Sequence, residues 1–300
     1  MAGDSFRSGF CAVVGRPNVG KSTLVNALVG QKVAIVSDKP QTTRNRITGV
    51  LTTGEMQVVF LDTPGIHKPR HRLGEYMVTV ARETLSEVDL ILFVVEANAE
   101  SSKGDQFIAS ELRSVKTPVL IVANKADLVP SEEIDGVLKS KAALVPGAPV
   151  LPVSALRLTN LELLKTAIRE RLSEGPKYYP DDMYTDRPEQ FIITELVREQ
   201  VLRLTHDEVP HSVAVEVENM EERPGGLIYI RATIYVEKES QKGIIIGDRG
   251  AMLRRIGSGA RTEIEALLGA RVYLDLWVKV RKEWRNKDVW LRQMGYAGDQ

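Results

Sequence analysis

Cysteine is almost missing from this chain: one residue in 300, Cys11, so no disulfide can form within it. Cys11 lies in the apolar run Phe10–Val14, which makes it a core side chain and fits a reducing compartment. Long hydrophobic runs are missing too. A stretch such as Leu90–Val95 is far shorter than the ~20 residues a membrane-spanning helix needs. The start, Met1-Ala2-Gly3-Asp4-Ser5-Phe6, has no apolar core of the kind a signal peptide carries. An excess of charge of either sign is also absent, because 40 Lys and Arg face 40 Asp and Glu. Overall charge therefore points to neither a nucleic acid nor a membrane surface. These absences lead us to expect a soluble cytoplasmic protein; a monomer is expected as well, although the residues themselves are silent on oligomeric state. What is present is ordinary for globular proteins: 43% hydrophobic and 27% charged residues, over a length that suits two domains.

The most informative stretch is Gly15-Arg16-Pro17-Asn18-Val19-Gly20-Lys21-Ser22-Thr23. It follows the apolar run ending at Val14 and precedes a helical pattern through Leu24, Val25, Ala27 and Leu28. A strand–loop–helix setting is what a phosphate-binding loop requires. Glycines let several backbone N–H groups converge on one anion, and the helix N-terminus adds donors and dipole. In this reading Lys21 reaches the β and γ phosphates and the Ser22 hydroxyl holds Mg²⁺. Without that setting the motif would be only a Gly-rich turn.

From residue 10 to about 172, short apolar runs alternate with helical patterns. Strands are expected at Phe10–Val14, Val58–Leu61, Leu90–Val95, Val119–Ala123 and Val150–Val153. Helices are expected after Lys21, at Tyr76–Glu87, Asp105–Ser114, Ser131–Leu144 and Leu161–Leu172. The pattern predicts an α/β domain with a mostly parallel sheet covered on both faces, whose ligand gathers at the carboxyl ends of the strands.

The remaining motifs fall at those ends. Asp62-Thr63-Pro64-Gly65 begins 47 residues after Gly15. Asp62 can hold Mg²⁺ through a water, and Gly65 can offer its N–H to the γ-phosphate where no side chain would fit. Asn124-Lys125-Ala126-Asp127 follows the next strand but one. Asp127 can accept from the N1–H and the amine of guanine, a pair of donors adenine lacks, and such a site rejects the wrong base by roughly 10⁴–10⁵. Asn124 braces the loop, and the stem of Lys125 lies over the base. Ser154-Ala155-Leu156 can give a backbone N–H to the guanine oxygen. Between the first helix and second expected strand stands Asp38-Lys39-Pro40-Gln41-Thr42-Thr43-Arg44. A threonine here can close over the γ-phosphate and complete the Mg²⁺ shell. Thr43 is favoured over Thr42, but the residues alone do not decide. Lys21, Thr43 and Gly65 form the expected catalytic group.

Gly175-Pro176-Lys177-Tyr178-Tyr179-Pro180 marks a change of character. The boundaries expected are residues 1–175 for the first domain, 176–188 for a linker and 189–300 for a second, α+β domain with a C-terminal tail. The second domain reads α-β-β-α-α-β. It opens with a helix through Phe191, Leu196 and Val201, followed by alternating strands at Val213–Val217 and Ile228–Val236. A helix with Leu253, Ile256, Ala260 and Ile264 and a last strand at Val272–Val280 complete it. Gly247-Asp248-Arg249-Gly250 has the GxxG form of the loop by which KH domains clamp about four nucleotides. Residues 181–240 hold six basic and 14 acidic side chains, whereas residues 241–300 hold 12 and seven. The basic half thus starts at this loop, with Lys242, Arg249, Arg254 and Arg255 as candidate phosphate contacts. Trp284 and Trp290 serve either to stack bases or to cap the second core.

In order and spacing, GRPNVGKS, PQTTR, DTPG, NKAD and SAL resemble the five motifs of small GTP-binding proteins, in the form of the translation-factor-related bacterial GTPases. With the late GDRG and its surroundings, residues 8 to 294 resemble the bacterial Era GTPases: a P-loop GTPase domain followed by a type II KH domain. The resemblance implies GTP and GDP as ligands, Mg²⁺, hydrolysis of GTP, and binding to the 3′ end of small-subunit ribosomal RNA. It also implies a role in maturation of the small ribosomal subunit and, in some members, peripheral association with the cell membrane. It further associates Asn18 with a potassium ion acting where an arginine finger would. The chain departs from the Ras pattern at Ile66, which stands where a water-orienting glutamine would, so potassium, a backbone group, His67 or a partner must assist and unassisted turnover is slow. Two other readings are a nucleotide-dependent RNA-binding scaffold with little turnover and a P-loop phosphotransferase. Intact Lys21, Ser22 and Asp62 speak against the first. The second lacks a visible acceptor pocket and base.

Overall fold

Runs of Val, Ile and Leu with both faces buried build the larger sheet. A computed structural model describes residues 5–39, 41–65 and 71–296. It divides into two compact units, one of Met1–Ala34, Thr43–Pro69 and Met77–Asp186, the other of Ile35–Thr42, Arg70–Tyr76 and Arg187–Gln300. The chain begins β1 (Arg7–Val14), α1 (Lys21–Val29), β2 (Ile47–Thr52), β3 (Met56–Asp62), α2 (Arg72–Ser86) and β4 (Leu90–Glu96). It continues α3 (Lys103–Leu112), β5 (Val119–Asn124), α4 (Ile134–Ala142), β6 (Val150–Pro152) and α5 (Leu161–Arg169).

The six strands lie in the order β2-β3-β1-β4-β5-β6, all parallel except β2. Successive residues of β1 serve opposite faces, as the two-residue period of a strand demands. Cys11 and Val13 join a core with Leu24, Leu28, Phe60, Leu92 and Leu164, while Ala12 and Val14 join another with Ala81, Phe93, Ile108 and Ile121. Because the strands flanking β1 lead to opposite sides, its carboxyl end is the topological switch point where ligands of open α/β sheets bind. Burial pushes the Cys11 thiol far above its ordinary value, so it is an inert core group.

Strand β2 is not foreseen from the sequence. Thr48 and Gly49 dilute its apolar signal, and Gly49 is required there because a Cβ would come 2.9 Å from Val25 Cγ1 on α1. Helix α2 also starts earlier than its periodicity suggests.

In the second unit α6 (Glu189–Leu204), α7 (Val209–Ser212), β7 (Ala214–Arg223), β8 (Leu227–Val236), α8 (Glu239–Ile246), α9 (Ala251–Leu268), β9 (Arg271–Val280) and α10 (Asp288–Gln293) follow in order. Strands β7 and β8 are antiparallel, β8 and β9 parallel, and β9 is a sheet edge. Val215, Ile230, Ala232, Ile234, Val272 and Val278 face Val197, Val201, Ile256 and Ile264 of the helices. Trp284 settles into this core: it is fully buried, donates from Nε1 to Ser212 O at 2.8 Å and stacks on Tyr296. It caps the domain and has no face left for a base. Trp290 carries the Arg281 guanidinium 4.9 Å from its ring centre. On α6 the buried Arg198 pairs with Glu195 and donates to Thr42 O, and Glu199 accepts from Val36 N at 3.0 Å.

Within the first unit one side chain fixes the segment that leaves α5. Gln57, wholly buried on β3, accepts the N–H groups of Tyr178 and Tyr179 at 2.6 and 3.0 Å and donates to Tyr179 O at 2.8 Å and Thr52 Oγ1 at 2.9 Å. Gln57→Leu keeps the volume but strands these groups, at a cost of about 2 kcal/mol. A urea titration should show the unfolding midpoint of the variant lowered; an unchanged midpoint would mean that water replaces every bond.

Candidate functional site

The motif residues collect at the carboxyl ends of β1, β3, β5 and β6. After β1 the loop from Gly15 turns into α1 through Asn18 and Gly20, both with left-handed backbone at φ 67° and 97°. A side chain at position 20 would also sit 2.3 Å from Asn124 Nδ2. That crowding is functional, since Asn124 donates to Val19 O at 2.9 Å and accepts from Ala155 N at 3.0 Å. One amide thus ties the loop after β5 to the phosphate loop and to the loop after β6. The N–H groups of Ser154 and Ala155 are engaged, with Thr159 O and Asn124 respectively. Leu156 is exposed, and so is the Asp127 carboxylate on its short helical turn.

Lys21 is buried, and its ammonium donates to Gly15 O at 3.2 Å and Arg16 O at 3.0 Å. Burial pushes its pKa down to about 8; the Asp62 carboxylate opposes that fall and the Arg16 guanidinium adds to it. A phosphate against Lys21 would supply the counter-charge that two carbonyls supply only in part.

The groups expected to hold Mg²⁺ come together. Ser22 Oγ donates to Asp62 Oδ2 at 2.6 Å and lies 3.0 Å from Thr43 Oγ1, which lies 3.4 Å from the same carboxylate oxygen. Thr42 is turned away, donating to Lys39 O at 2.7 Å. Asp62 is fully buried, and its other oxygen, Oδ1, has no hydrogen-bond partner among the described residues. Burial pushes its carboxyl above the ordinary value against the pull of Lys21, Ser22 and Thr43. An orphaned oxygen beside two hydroxyls is an all-oxygen donor set, which fits a hard divalent cation and would be relieved by one. Beyond Asp62, Thr63 is buried and anchors on Val13 O at 2.9 Å, with Pro64 next to it. Gly65 lies so near the phosphate loop that a Cβ would meet Pro17 N at 2.7 Å. Pro40, Ile66 and His67 lie outside the described residues.

Two residues at this site carry no motif and are not found by sequence reasoning. Glu96, at the end of β4, pairs with Arg16 at 3.2 Å and also with Lys125. Asp105 accepts from Arg16 Nε at 2.8 Å while closing the capping box of α3 with Ser102. The Arg16 side chain is thereby drawn towards two carboxylates. Its contribution to phosphate binding is through the backbone of the loop and through this brace, which joins the phosphate loop to the base loop. A Ser-x-x-Asp capping signal at Ser102–Asp105 is legible in the sequence, but nothing there connects it to Arg16.

In the second unit the Gly247–Gly250 loop joins α8 to α9. Gly247 has φ 71°, and a Cβ there would meet Met252 N at 2.8 Å, so glycine is needed for packing. Gly250, at φ 78°, has only Arg254 Nη1 near, 3.5 Å from its Cβ position. Asp248, Arg249, Arg254 and Arg255 are exposed, Lys242 is half-buried, and Arg254 Nη1 donates to Arg249 O at 2.9 Å. Both glycines are half-buried, and Gly250 N donates to Gly247 O at 3.2 Å, so the loop's exposed surface is that of Asp248 and the arginines.

A family model described as 50S ribosome-binding GTPase matches residues 10–125, and a KH domain model matches residues 208–285. A solved structure of an Aquifex aeolicus Era variant bound to GDP and AlF4⁻ is 40% identical, with a TM-score of 0.94, over 97% of this chain and 100% of that one. The chain belongs to the Era GTPase family. A structure of Era with MgGDPNP and nucleotides 1506–1542 of 16S ribosomal RNA is likewise 40% identical, with a TM-score of 0.95 over 97% of this chain and 99% of that one. The GTPase model thus matches the first unit and the KH model the second.

The brace generates a prediction. Glu96→Ala removes two ion pairs, freeing Lys125 and leaving Arg16 with Asp105 alone, so affinity for GDP should fall about tenfold through the loosened loops. Preference for guanine over adenine should persist, because Asp127 is untouched. Titration with a fluorescent GDP analogue reads both; unchanged affinity would show the brace to be decorative.

Proposed function

We propose that this Era-family protein is a GTP-hydrolysing switch that binds the 3′ end of small-subunit ribosomal RNA and assists maturation of the small subunit. The observation that carries the nucleotide half is the meeting of Ser22, Thr43 and Asp62 beside Lys21. The GxxG loop at Gly247–Gly250 with its exposed Arg249, Arg254 and Arg255, together with the RNA held by the related Era, supports the other half. The domain limits we propose are 1–175 and 189–300, joined by 176–188.

Ser22, Thr43 and Asp62 would hold Mg²⁺, which when bound offsets the charge of the β and γ phosphates. The phosphate-loop N–H groups and Lys21 grip those phosphates, and the Gly65 N–H meets the γ-phosphate. Water attacks the γ phosphorus in line as its bond to the bridging oxygen breaks, giving GDP and phosphate. Asn18 is the residue we assign to a potassium ion, a reading that rests on family resemblance. Peripheral membrane association rests on the same ground; among the described residues no helix is long and apolar enough to cross a membrane. The switch acts through Thr43. Ordering Thr43 around nucleotide closes its loop over the γ-phosphate, and hydrolysis releases it.

Two measurements test this. Phosphate release from GTP should be slow alone, faster in K⁺ than in Na⁺, and stimulated by an RNA of nucleotides 1506–1542. Gly250→Asp places a carboxylate beside Arg254, at a left-handed backbone position that Asp tolerates better than most residues, where a phosphate would lie. It should abolish the stimulation and spare the basal rate; stimulation that survives would move the RNA site elsewhere. Asp127→Asn should cost at least 100-fold in preference for GTP over ATP in competition binding. An unchanged preference would remove Asp127 from base recognition.

A further inference from the structure

The outward face of the KH sheet carries aromatic rings that the Gly247–Gly250 loop does not use. On β9 the core takes Val272, Leu274, Leu276 and Val278, so Tyr273, Asp275 and Trp277 point outward. Tyr273 is 57% and Trp277 53% exposed, unusual values for large aromatics on an ordered strand. The Tyr273 ring is backed by fixed neighbours. Asp275 accepts from Tyr229 Oη at 2.8 Å and from Arg231 Nε at 3.0 Å. Partial burial pushes the Asp275 carboxyl up, but these donors outweigh it and hold the group below its ordinary value, hence ionised. Tyr229 stacks on its register partner Tyr273 at 5.9 Å between ring centres, and the Arg223 guanidinium lies 3.8 Å over Tyr229. One carboxylate therefore fixes Tyr229, against which Tyr273 stacks, and the outer faces of Tyr273 and Trp277 stand in solvent.

We propose that this face is a second RNA surface, on which bases of a single strand stack against Tyr273 and Trp277. Base–aromatic stacking tolerates any sequence and needs no unpaired charge, which suits a face whose Arg231 and Lys279 are already paired, with Asp275 and Glu218. The occupant is RNA because of what β9 adjoins. Helices α8 and α9, which flank the Gly247–Gly250 loop, pack on the inner side of β9, and β9 is the open edge of the sheet. A strand clamped at the loop would reach the rings by passing over this edge. The inference rests on the reading of the loop as the phosphate clamp.

The test compares a 4-nucleotide RNA, the length a GxxG loop clamps, with an unstructured 12-nucleotide RNA, by fluorescence anisotropy. Tyr273→Ala and Trp277→Ala should each weaken the 12-mer about tenfold and leave the 4-mer within about twofold, while Trp277→Phe, which keeps a π-face, restores most of the loss. The slope of affinity against salt should not change, since no phosphate contact is removed. The 12-mer should also quench tryptophan emission in the wild type and not in Trp277→Phe. Unchanged 12-mer affinity in both alanine variants overturns the proposal, and so does equal weakening of the 4-mer, which would mean the rings merely shape the clamp. Loss of co-sedimentation with small ribosomal subunits at unchanged 12-mer affinity would overturn it in favour of a protein partner. Gly250→Asp separates the two readings. If it spares both RNAs while the alanine variants weaken the 12-mer, the clamp assignment fails and the stacking surface stands.

Discussion

A buried carboxylate with one oxygen satisfied and the other bare is costly, and Asp62 carries that cost at the end of β3. The fold tolerates it because everything around Asp62 is fixed by interactions that do not depend on it. Strand β3 is buried along its whole length, Thr63 hangs from Val13 O, and Gly65 rests against Pro17. The carboxylate therefore cannot swing out to water. It stays where two hydroxyls and an ammonium also point, and a cation that fills the bare oxygen's position gains what folding lost. The sheet is in this sense a device for holding one group in a place it would not choose.

The neighbouring charges follow the opposite logic. Lys125, Glu96, Arg16 and Asp105 alternate in sign along a line from the base loop to the first turn of α3, and each has found its counter-charge. Their work is geometric. A phosphate loop offers N–H groups that repel one another, and its shape must survive without its anion. Asn124 holds it from one side through Val19 O, and Arg16 holds it from another. Loops that emerge from four different strands are joined here by side chains, which explains why short motifs far apart in sequence behave as one site.

How much of this is legible beforehand depends on range. The phosphate loop, Asp62 and the base motif are readable because each sits at the end of an apolar run, and the fold itself places strand ends together. The type II KH order is readable because its two periodicities are clean. Thr43 and Thr42 cannot be separated by sequence, since the choice depends on which hydroxyl the backbone turns toward Ser22, and the structure turns Thr43. Glu96 is invisible for a different reason: a glutamate ending a strand is unremarkable until Arg16 and Lys125 are known to converge on it. Strand β2 is lost because Gly49 answers to the packing of α1 and not to strand propensity. Trp284 is undecided until Ser212 O is found beneath its indole nitrogen.

The acidic residues, compared, show how a side chain's state of satisfaction separates structural from ligand-facing roles. Glu96 and Asp105 are saturated by cations and Asp275 is held by a phenol and a guanidinium; such groups spend their hydrogen bonds on the protein and can only orient what they touch. Asp62 is buried and half satisfied, and Asp127 is exposed at the rim of the site. Groups of this second kind keep their acceptors for something outside the chain. By that distinction Asp275 marks its surroundings as a surface prepared in advance, where the rings it aligns, and not the carboxylate, are what a partner meets.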